Sequence, residues 1–87
     1  MSKNMTKSKA KWRAHRGVLE LDALLLPYIE KRFDDLSEDR RHDFFTLLAL
    51  PDPDLQSILI YSENLNPDHP LYHIIRDIKK NNQLLSE

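Results

Sequence analysis

The sequence contains no cysteine, one glycine and one valine among its 87 residues. The absence of cysteine excludes disulfides, cysteine-ligated zinc, iron–sulfur clusters and thiol chemistry, and it is compatible with a reducing compartment. The scarcity of glycine and valine argues against a sandwich or barrel, which needs β-branched strands and glycine-rich turns. Leucine dominates the apolar residues, and this composition favours helices.

Long apolar runs are also missing. The longest uncharged apolar run covers residues 23–29, far short of the roughly 20 residues that span a bilayer. The basic N-terminus lacks the apolar segment of a secretory signal. A chain of 10.3 kDa has room for one domain only. We therefore expect a single-domain cytoplasmic monomer with no membrane span.

Charge is unevenly distributed along the chain, although the net charge is only −1. Residues 1–16 carry six Lys and Arg and no acid, whereas residues 17–75 carry 12 acidic and four basic residues. A basic arm therefore precedes an acidic body. The charge distribution allows three interpretations: the arm is a solvated tail, it lies on the acidic body of its own chain, or it binds an anionic surface of a partner. Composition does not distinguish among these three.

Apolar spacing and helix start and stop signals predict four or five short helices and no strand. Pro27 predicts a kink or an early end of the second helix, Ser37 is a good N-cap for the third, and Asp52 predicts the start of the fourth. The first three predicted helices cover about residues 9–15, 18–33 and 38–50, and the fourth begins at residue 53 and ends near residues 62–64. The last helix follows Pro67, and its apolar residues have the i, i+3, i+4, i+7 spacing of a helix face: Leu71, Ile74, Ile75 and Ile78.

Short connections favour antiparallel neighbours. The predicted fold class is thus all-α, a single compact bundle of about five short helices. We expect a flexible basic arm over residues 1–8, one helical domain over residues 9–82, and a short C-terminal tail over residues 83–87.

Residues that could support catalysis or hold a metal are few. We find no nucleophile motif, phosphate-binding loop or dinucleotide fingerprint. His69 and His73 have the i, i+4 spacing of a metal pair but no third ligand, and they are interpreted as surface histidines. The remaining carboxylates lack the spacing and the glycine of a calcium loop and are interpreted as helix caps and a solvated face: Asp34, Asp35, Glu38, Asp39, Asp43, Asp52 and Asp54. We predict no catalytic residue, no metal and no enzymatic activity.

The segment around Gly17 is the strongest candidate for a binding surface. If a helix continues through Gly17, then Arg13, Arg16 and Glu20 share one face with it, and Trp12 lies beside them. The alternative places Gly17 at a corner between two helices, with a surface ion pair between Arg16 and Glu20. The basic arm with Trp12 could also contact nucleic acid, but the acidic body would repel phosphates.

The run Trp12-Arg13-x-x-Arg16-Gly17-x-Leu19-Glu20-Leu21-Asp22, followed by Leu26-Pro27, resembles the signature of the small flavinylation assembly factors of succinate dehydrogenase and fumarate reductase. This family has also been described as antitoxins of membrane-linked toxins. The resemblance continues through Phe33-Asp34-x-Leu36-Ser37 and Asp52-Pro53-Asp54-Leu55. One departure is His15, where many members have a second arginine.

The resemblance implies a five-helix protein that is not an enzyme. It implies binding to the flavoprotein subunit of succinate dehydrogenase and/or fumarate reductase while that subunit acquires covalent FAD, and the FAD belongs to the subunit and is not held tightly by this chain. The implied partner-binding residues are Trp12, Arg13, Arg16, Gly17, Glu20 and Asp22. In this interpretation Gly17 permits close approach, Arg16 and Glu20 pair with partner groups, and Asp22 fixes the corner. Two alternatives stay open: an antitoxin-like protein-binding regulator and a helical nucleic-acid-binding module.

Overall fold

A computed structural model describes residues 5–61 and 65–85, and their regular structure is entirely helical. The predicted all-α bundle of about five short helices is confirmed. None of the helices in the described ranges is both long enough and apolar enough to cross a membrane. The elements in chain order are α1 (Lys7–Ala14), α2 (Leu19–Arg32), a 3₁₀ turn (Phe33–Asp35), α3 (Glu38–Leu48), α4 (Asp52–Gln56), a π-helical turn (Ser57–Tyr61) and α5 (Tyr72–Leu85).

The first and last helices extend beyond the predicted limits of residues 9 and 82. Helix α1 begins at Lys7 because Thr6 caps it, and the Thr6 hydroxyl accepts a hydrogen bond from the Lys9 N–H at 3.1 Å. Helix α5 ends at Leu85. Half of the predicted arm and the end of the predicted tail (residues 1–4 and 86–87) lie outside the described residues, so the flexibility expected there stays a prediction.

Helix α2 continues through Pro27, and the predicted early end is wrong. Proline removes one N–H from the helix ladder. However, Leu24 and Leu25 before it and Tyr28 and Ile29 after it are all buried in the core. Burial of side chains on both sides therefore holds the helix together across the missing hydrogen bond.

The later helix starts differ from their sequence signals by small shifts. Ser37 caps α3 as predicted, and its hydroxyl accepts from the Arg40 N–H at 3.2 Å. Pro51 is the N-cap of α4 in place of the predicted Asp52. Its extended backbone directs its carbonyl at the N–H groups of Asp54 and Leu55, at 3.0 and 3.1 Å. The fourth helix, predicted as a single helix, instead changes to a π-helical turn at Ser57. Its predicted end near residues 62–64 lies outside the described residues.

The chain before α5 forms turns, so this helix starts later than the Pro67 signal predicts. The Asn66 side chain accepts from the Asp68 N–H at 3.0 Å, which closes an Asx turn. The His69 Nδ1 atom accepts from the Leu71 N–H at 3.0 Å. His69 therefore lies outside the helix that carries His73, and the two histidines do not share one helix face. The described residues contain no group of three potential metal ligands.

Helix α2 is the central element of the core. It packs against α1, α5 and the π-helical turn. Its Tyr28 ring lies 5.5 Å from the Phe44 ring of α3, and Phe33 lies 6.3 Å from both Phe44 and Phe45. These tilted and edge-on ring pairs add to the stabilisation from apolar burial. Ile74, Ile75 and Ile78 of α5 complete the core.

Helix α1 lies on the acidic body of its own chain. The Lys7 ammonium is 3.5 Å from the Asp34 carboxylate, and Lys11 forms an ion pair with Glu30. Hydrogen bonding from Lys11 lowers the pKa of Glu30. Of the three sequence interpretations of the basic arm, the structure therefore supports contact with the acidic body for the described part of the arm.

A polar pair links α2 to α5. The buried Tyr28 hydroxyl donates a hydrogen bond of 2.6 Å to the Asp77 carboxylate, which also lies 3.6 Å from the Arg32 guanidinium. Burial, together with the acceptor Asp77, raises the pKa of Tyr28 well above its usual range. The phenol is therefore a neutral hydrogen-bond donor at any physiological pH, and it supplies the Asp77 carboxylate with a hydrogen bond from within the core.

We predict that Tyr28→Phe lowers the free energy of unfolding by about 1–2 kcal/mol, because it removes a hydrogen bond to a charged acceptor. Urea unfolding followed by circular dichroism measures this value. Tyr61→Phe is the matched control: Tyr61 is 65% exposed, so its loss should stay within about 0.5 kcal/mol. Equal changes in the free energy of unfolding for the two variants would contradict a stabilising role of the hydrogen bond from Tyr28 to Asp77.

The pair of Tyr28 and Asp77 also predicts that the free energy of unfolding depends on pH. The pKa of Tyr28 is raised in the folded chain, whereas the unfolded phenol titrates at about 10. The unfolded chain then binds fewer protons above pH 10, so stability falls there as pH rises. The difference in stability between wild type and Tyr28→Phe should be constant from about pH 6 to 9 and shrink above about pH 10.

Candidate functional site

The chain turns sharply between α1 and α2, and Gly17 makes the turn. Helix α1 ends at Ala14 and α2 begins at Leu19, while Gly17 has a φ of 76°. This left-handed conformation costs other L-residues about 1–2 kcal/mol. This excludes the alternative of a helix that continues through Gly17, and it confirms the predicted break between the first two helices, with Gly17 at the corner between them. Apart from its two chain neighbours, no described residue lies within 4 Å of the position that a Cβ atom at Gly17 would occupy, and Gly17 is exposed.

Asp22 fixes the corner from the first turn of α2. One carboxylate oxygen accepts from the Arg16 N–H at 3.0 Å, and the other lies 3.1 Å from Nδ1 of His15. The Asp22 side chain is largely buried, whereas that of His15 is exposed. The role that the resemblance implied for Asp22, to hold the corner, agrees with these contacts. Asp22 therefore acts on the backbone of its own chain.

The Arg16 guanidinium points inward to the junction between α3 and α4. Nη1 donates to the Leu50 carbonyl and to the Asp52 carboxylate, both at 2.9 Å, and Nη2 donates to the Leu48 carbonyl. Carbonyls at a helix C-terminus have no partner within their own helix. Arg16 supplies a partner for one of them, the Leu48 carbonyl, and for the Leu50 carbonyl just beyond the helix. It thereby ties the α1–α2 corner to the α3–α4 junction. We call this arrangement the Arg16 clamp.

The Arg16 clamp changes the interpretation of the candidate residues. Arg16 pairs with Asp52, and no ion pair with Glu20 is present among the described residues. Its side chain is only 16% exposed, so the guanidinium that the resemblance implied for a partner is engaged within the chain. Arg16 and Asp22 position the corner, whereas the other four predicted residues are exposed on it: Trp12, Arg13, Gly17 and Glu20.

Leu19 belongs to the run that carries the family resemblance but is not among its predicted binding residues, and it is an additional exposed residue at the corner. It is 85% exposed, and Trp12 is 77% exposed. At about 100° per residue, Leu19 lies about 160° around the helix from Leu21, which is buried. This angular position was the sequence signal that could have predicted the exposure of Leu19. We define the corner surface as Trp12, Arg13, His15, Gly17, Leu19 and Glu20.

An open groove adjoins the corner surface. Its volume is about 570 Å³, and it is lined by Trp12, Arg13, His15, Arg16 and Leu48. Helices α1 and α3 form its two sides. The groove extends the contact area available to a partner from the corner onto the end of α3.

The fold and the corner surface thus define a small helical domain that presents its candidate residues on an exposed, internally braced corner. The chain belongs to the family described as "Flavinator of succinate dehydrogenase", whose family model matches residues 8–82. This match covers α1 through most of α5.

Curated relatives carry a consistent name. The FAD assembly factor SdhE of Vibrio vulnificus strain YJ016 is 47% identical over 49 residues, which are 56% of this chain and 57% of the relative. SdhE of Photobacterium profundum is 38% identical over 64 residues, with 72% and 73% covered. SdhE of Photorhabdus laumondii is 34% identical over 77 residues, with 88% and 86% covered. The match thus spans little more than half of the Vibrio protein. No solved structure matches the chain.

The Arg16 clamp predicts a large stability difference between two neighbouring arginines. Arg16→Lys keeps the charge but cannot reach two carbonyls and a carboxylate at once, so we expect a loss of about 2–3 kcal/mol. Arg13→Lys, on the exposed corner surface, should change stability by less than about 0.5 kcal/mol. Urea unfolding measures both. Wild-type stability of Arg16→Lys would show that the clamp contributes little.

Proposed function

We propose that this chain is an assembly factor that binds the flavoprotein subunit of succinate dehydrogenase and/or fumarate reductase and promotes covalent attachment of FAD to that subunit. The observation that carries the proposal is the Gly17 corner, which Asp22 and Arg16 brace from inside. The family match and the name of the relatives support it. They favour it over an antitoxin-like regulator or a nucleic-acid-binding module.

The corner surface has the features of a protein-binding face. Trp12 and Leu19 offer large exposed apolar areas, and such residues often dominate binding energy. Arg13 and Glu20 carry opposite charges, which favour one orientation of the partner. Gly17 lacks a side chain at the turn, so a partner backbone can approach closely. Because the corner is braced before binding, little entropy is lost when a partner docks.

We propose that the chain acts by shifting the conformation of its partner. The corner surface would bind the state of the flavoprotein subunit in which the subunit's own groups and its FAD are correctly placed. Differential affinity for this state supplies the driving force. No group of this chain then needs to react with the flavin, and the proposed role is that of a chaperone and not an enzyme.

The proposal assigns the FAD to the partner. Gly17 is the only glycine in the sequence and lies at the corner, so the chain has no glycine-rich loop of the kind that holds a dinucleotide pyrophosphate. We also propose a cytoplasmic location, with which a cysteine-free chain is compatible.

The first test compares Gly17→Arg with Gly17→Ala. Both variants carry the same left-handed strain, about 1–2 kcal/mol, and only arginine adds bulk on the open corner. Purified apo-flavoprotein subunit is mixed with FAD and each variant, then denatured, and covalent flavin is followed by in-gel fluorescence. We expect Gly17→Ala to retain most of the wild-type rate and Gly17→Arg to lose about ten-fold or more.

Urea unfolding of both variants is the control for this experiment, and it should show a similar, modest loss of stability for the two. A wild-type rate with folded Gly17→Arg would exclude the corner as the partner face. An equal loss of rate for both variants would assign the requirement to backbone conformation instead of close approach.

Leu19 provides a test without backbone strain. Leu19→Ser should leave the free energy of unfolding unchanged within about 0.5 kcal/mol, because the side chain is exposed. Affinity for the apo-flavoprotein subunit, measured by calorimetry, should fall about five-fold or more. Lys31→Ser, an exposed position near the opposite end of α2, is the matched control and should bind as wild type. Equal affinities of the two variants would remove Leu19 from the binding surface.

A further inference from the structure

A second groove lies at the other end of α2 from the corner surface. Its volume is about 480 Å³, and it is formed by the end of α2, the start of α3 and the first half of α5. The 14 residues of α2 separate the corner from this groove by about 20 Å along the helix axis. Four cations and two carboxylates line it: Arg32, Arg40, Arg76, Lys80, Asp35 and Asp77. We call it the cationic groove.

The carboxylates in the described part of the chain leave two of these cations without an ion pair. Asp77 accepts from Tyr28 and lies 3.6 Å from Arg32. Arg40 lies 3.5 Å from Asp43. Within the described ranges, the side chains of Arg76 and Lys80 form no ion pair or hydrogen bond, and both residues are exposed. The α5 side of the groove therefore carries uncompensated positive charge on a chain whose net charge is −1.

The arrangement of these cations indicates the shape of a ligand. Arg76 and Lys80 are one turn apart on α5, about 6 Å along its axis. The half-buried Leu36 adds apolar area to the lining. A single phosphate is bound best by donors that converge on one point, whereas cations spaced along a groove match carboxylates spaced along a polypeptide. Asp35, on the side opposite α5, disfavours an anion there.

We propose that the cationic groove binds an acidic segment of a partner polypeptide, with Arg76 and Lys80 pairing with its carboxylates. The groove is a site separate from the corner surface, and its binding to an acidic peptide does not require the proposed function. A further step does rest on the proposed function: if the acidic segment belongs to the flavoprotein subunit, the two surfaces would act together and raise the affinity through effective concentration.

The test uses the full chain and a fluorescein-labelled peptide of about 12 residues in which glutamate alternates with alanine. Fluorescence anisotropy measures the affinity, and the same peptide with glutamine in place of glutamate is the uncharged control. We expect saturable binding of the glutamate peptide only. The double variant Arg76→Gln/Lys80→Gln should bind about five- to ten-fold more weakly, because each lost pair weakens binding by a small factor.

The matched control is Lys9→Gln/Lys31→Gln, which removes two charges outside both the groove and the corner surface. Its affinity should stay within about two-fold of wild type. An equal loss for both double variants would overturn the proposal in favour of diffuse attraction. Equal binding of the glutamine peptide would also overturn it. Displacement of the peptide by inorganic phosphate, but not by chloride at equal ionic strength, would identify a phosphate site instead. None of these outcomes depends on the flavinylation assay.

Discussion

The hydrogen bonds of the Arg16 guanidinium are the contacts on which the geometry of the candidate site depends. Helix α3 ends close to Pro51, and Leu48 and Leu50 there present carbonyls that no following helical turn can satisfy. Arg16 reaches both from a different corner of the chain. It can do so because Gly17 turns the backbone in the left-handed region while Asp22 holds the Arg16 N–H. One arginine thus connects two helix junctions, and the orientation of the corner surface follows from that connection.

The short sequence pattern over residues 16–22 contains two kinds of residue, one that faces the interior of the chain and one that faces solvent. Arg16 and Asp22 face the chain and determine its shape, whereas Gly17, Leu19 and Glu20 face solvent. Substitution of an inward residue would weaken partner binding through misplacement of the corner, and substitution of an outward residue would do so through lost contacts. Loss of function alone therefore does not identify a contact residue in this pattern. Stability and affinity must be measured on the same variant, because only their combination separates the two kinds of residue.

Local sequence patterns predicted the fold class correctly. They also predicted those helices whose capping residue and buried apolar face indicate the same position. Ser37 begins α3 as its side chain predicts, and the spacing of Ile74, Ile75 and Ile78 correctly places α5 in the core. The failures have long-range causes. Pro27 is tolerated because packing on both sides holds α2, and Arg16 selects Asp52, which is 36 residues away. Sequence spacing predicts that Arg16 lies near Glu20. It cannot compare the stability of that ion pair with the stability of hydrogen bonds to carbonyls that are distant in sequence. Spacing along the sequence thus grouped five of the six predicted residues, and the family resemblance added Asp22, whereas the inward or outward orientation of these residues required the fold.

The two candidate surfaces differ in the physics that would hold a partner. The corner surface offers apolar area from Trp12 and Leu19, and burial of such area is insensitive to moderate salt. The cationic groove offers exposed charges, whose attraction is screened over about 8 Å at physiological ionic strength. Helix α2 separates the two by about 20 Å, well beyond that distance, so the charges of the groove act on the corner only weakly. A partner that spans both would therefore gain encounter rate and orientation from the groove and residence time from the corner.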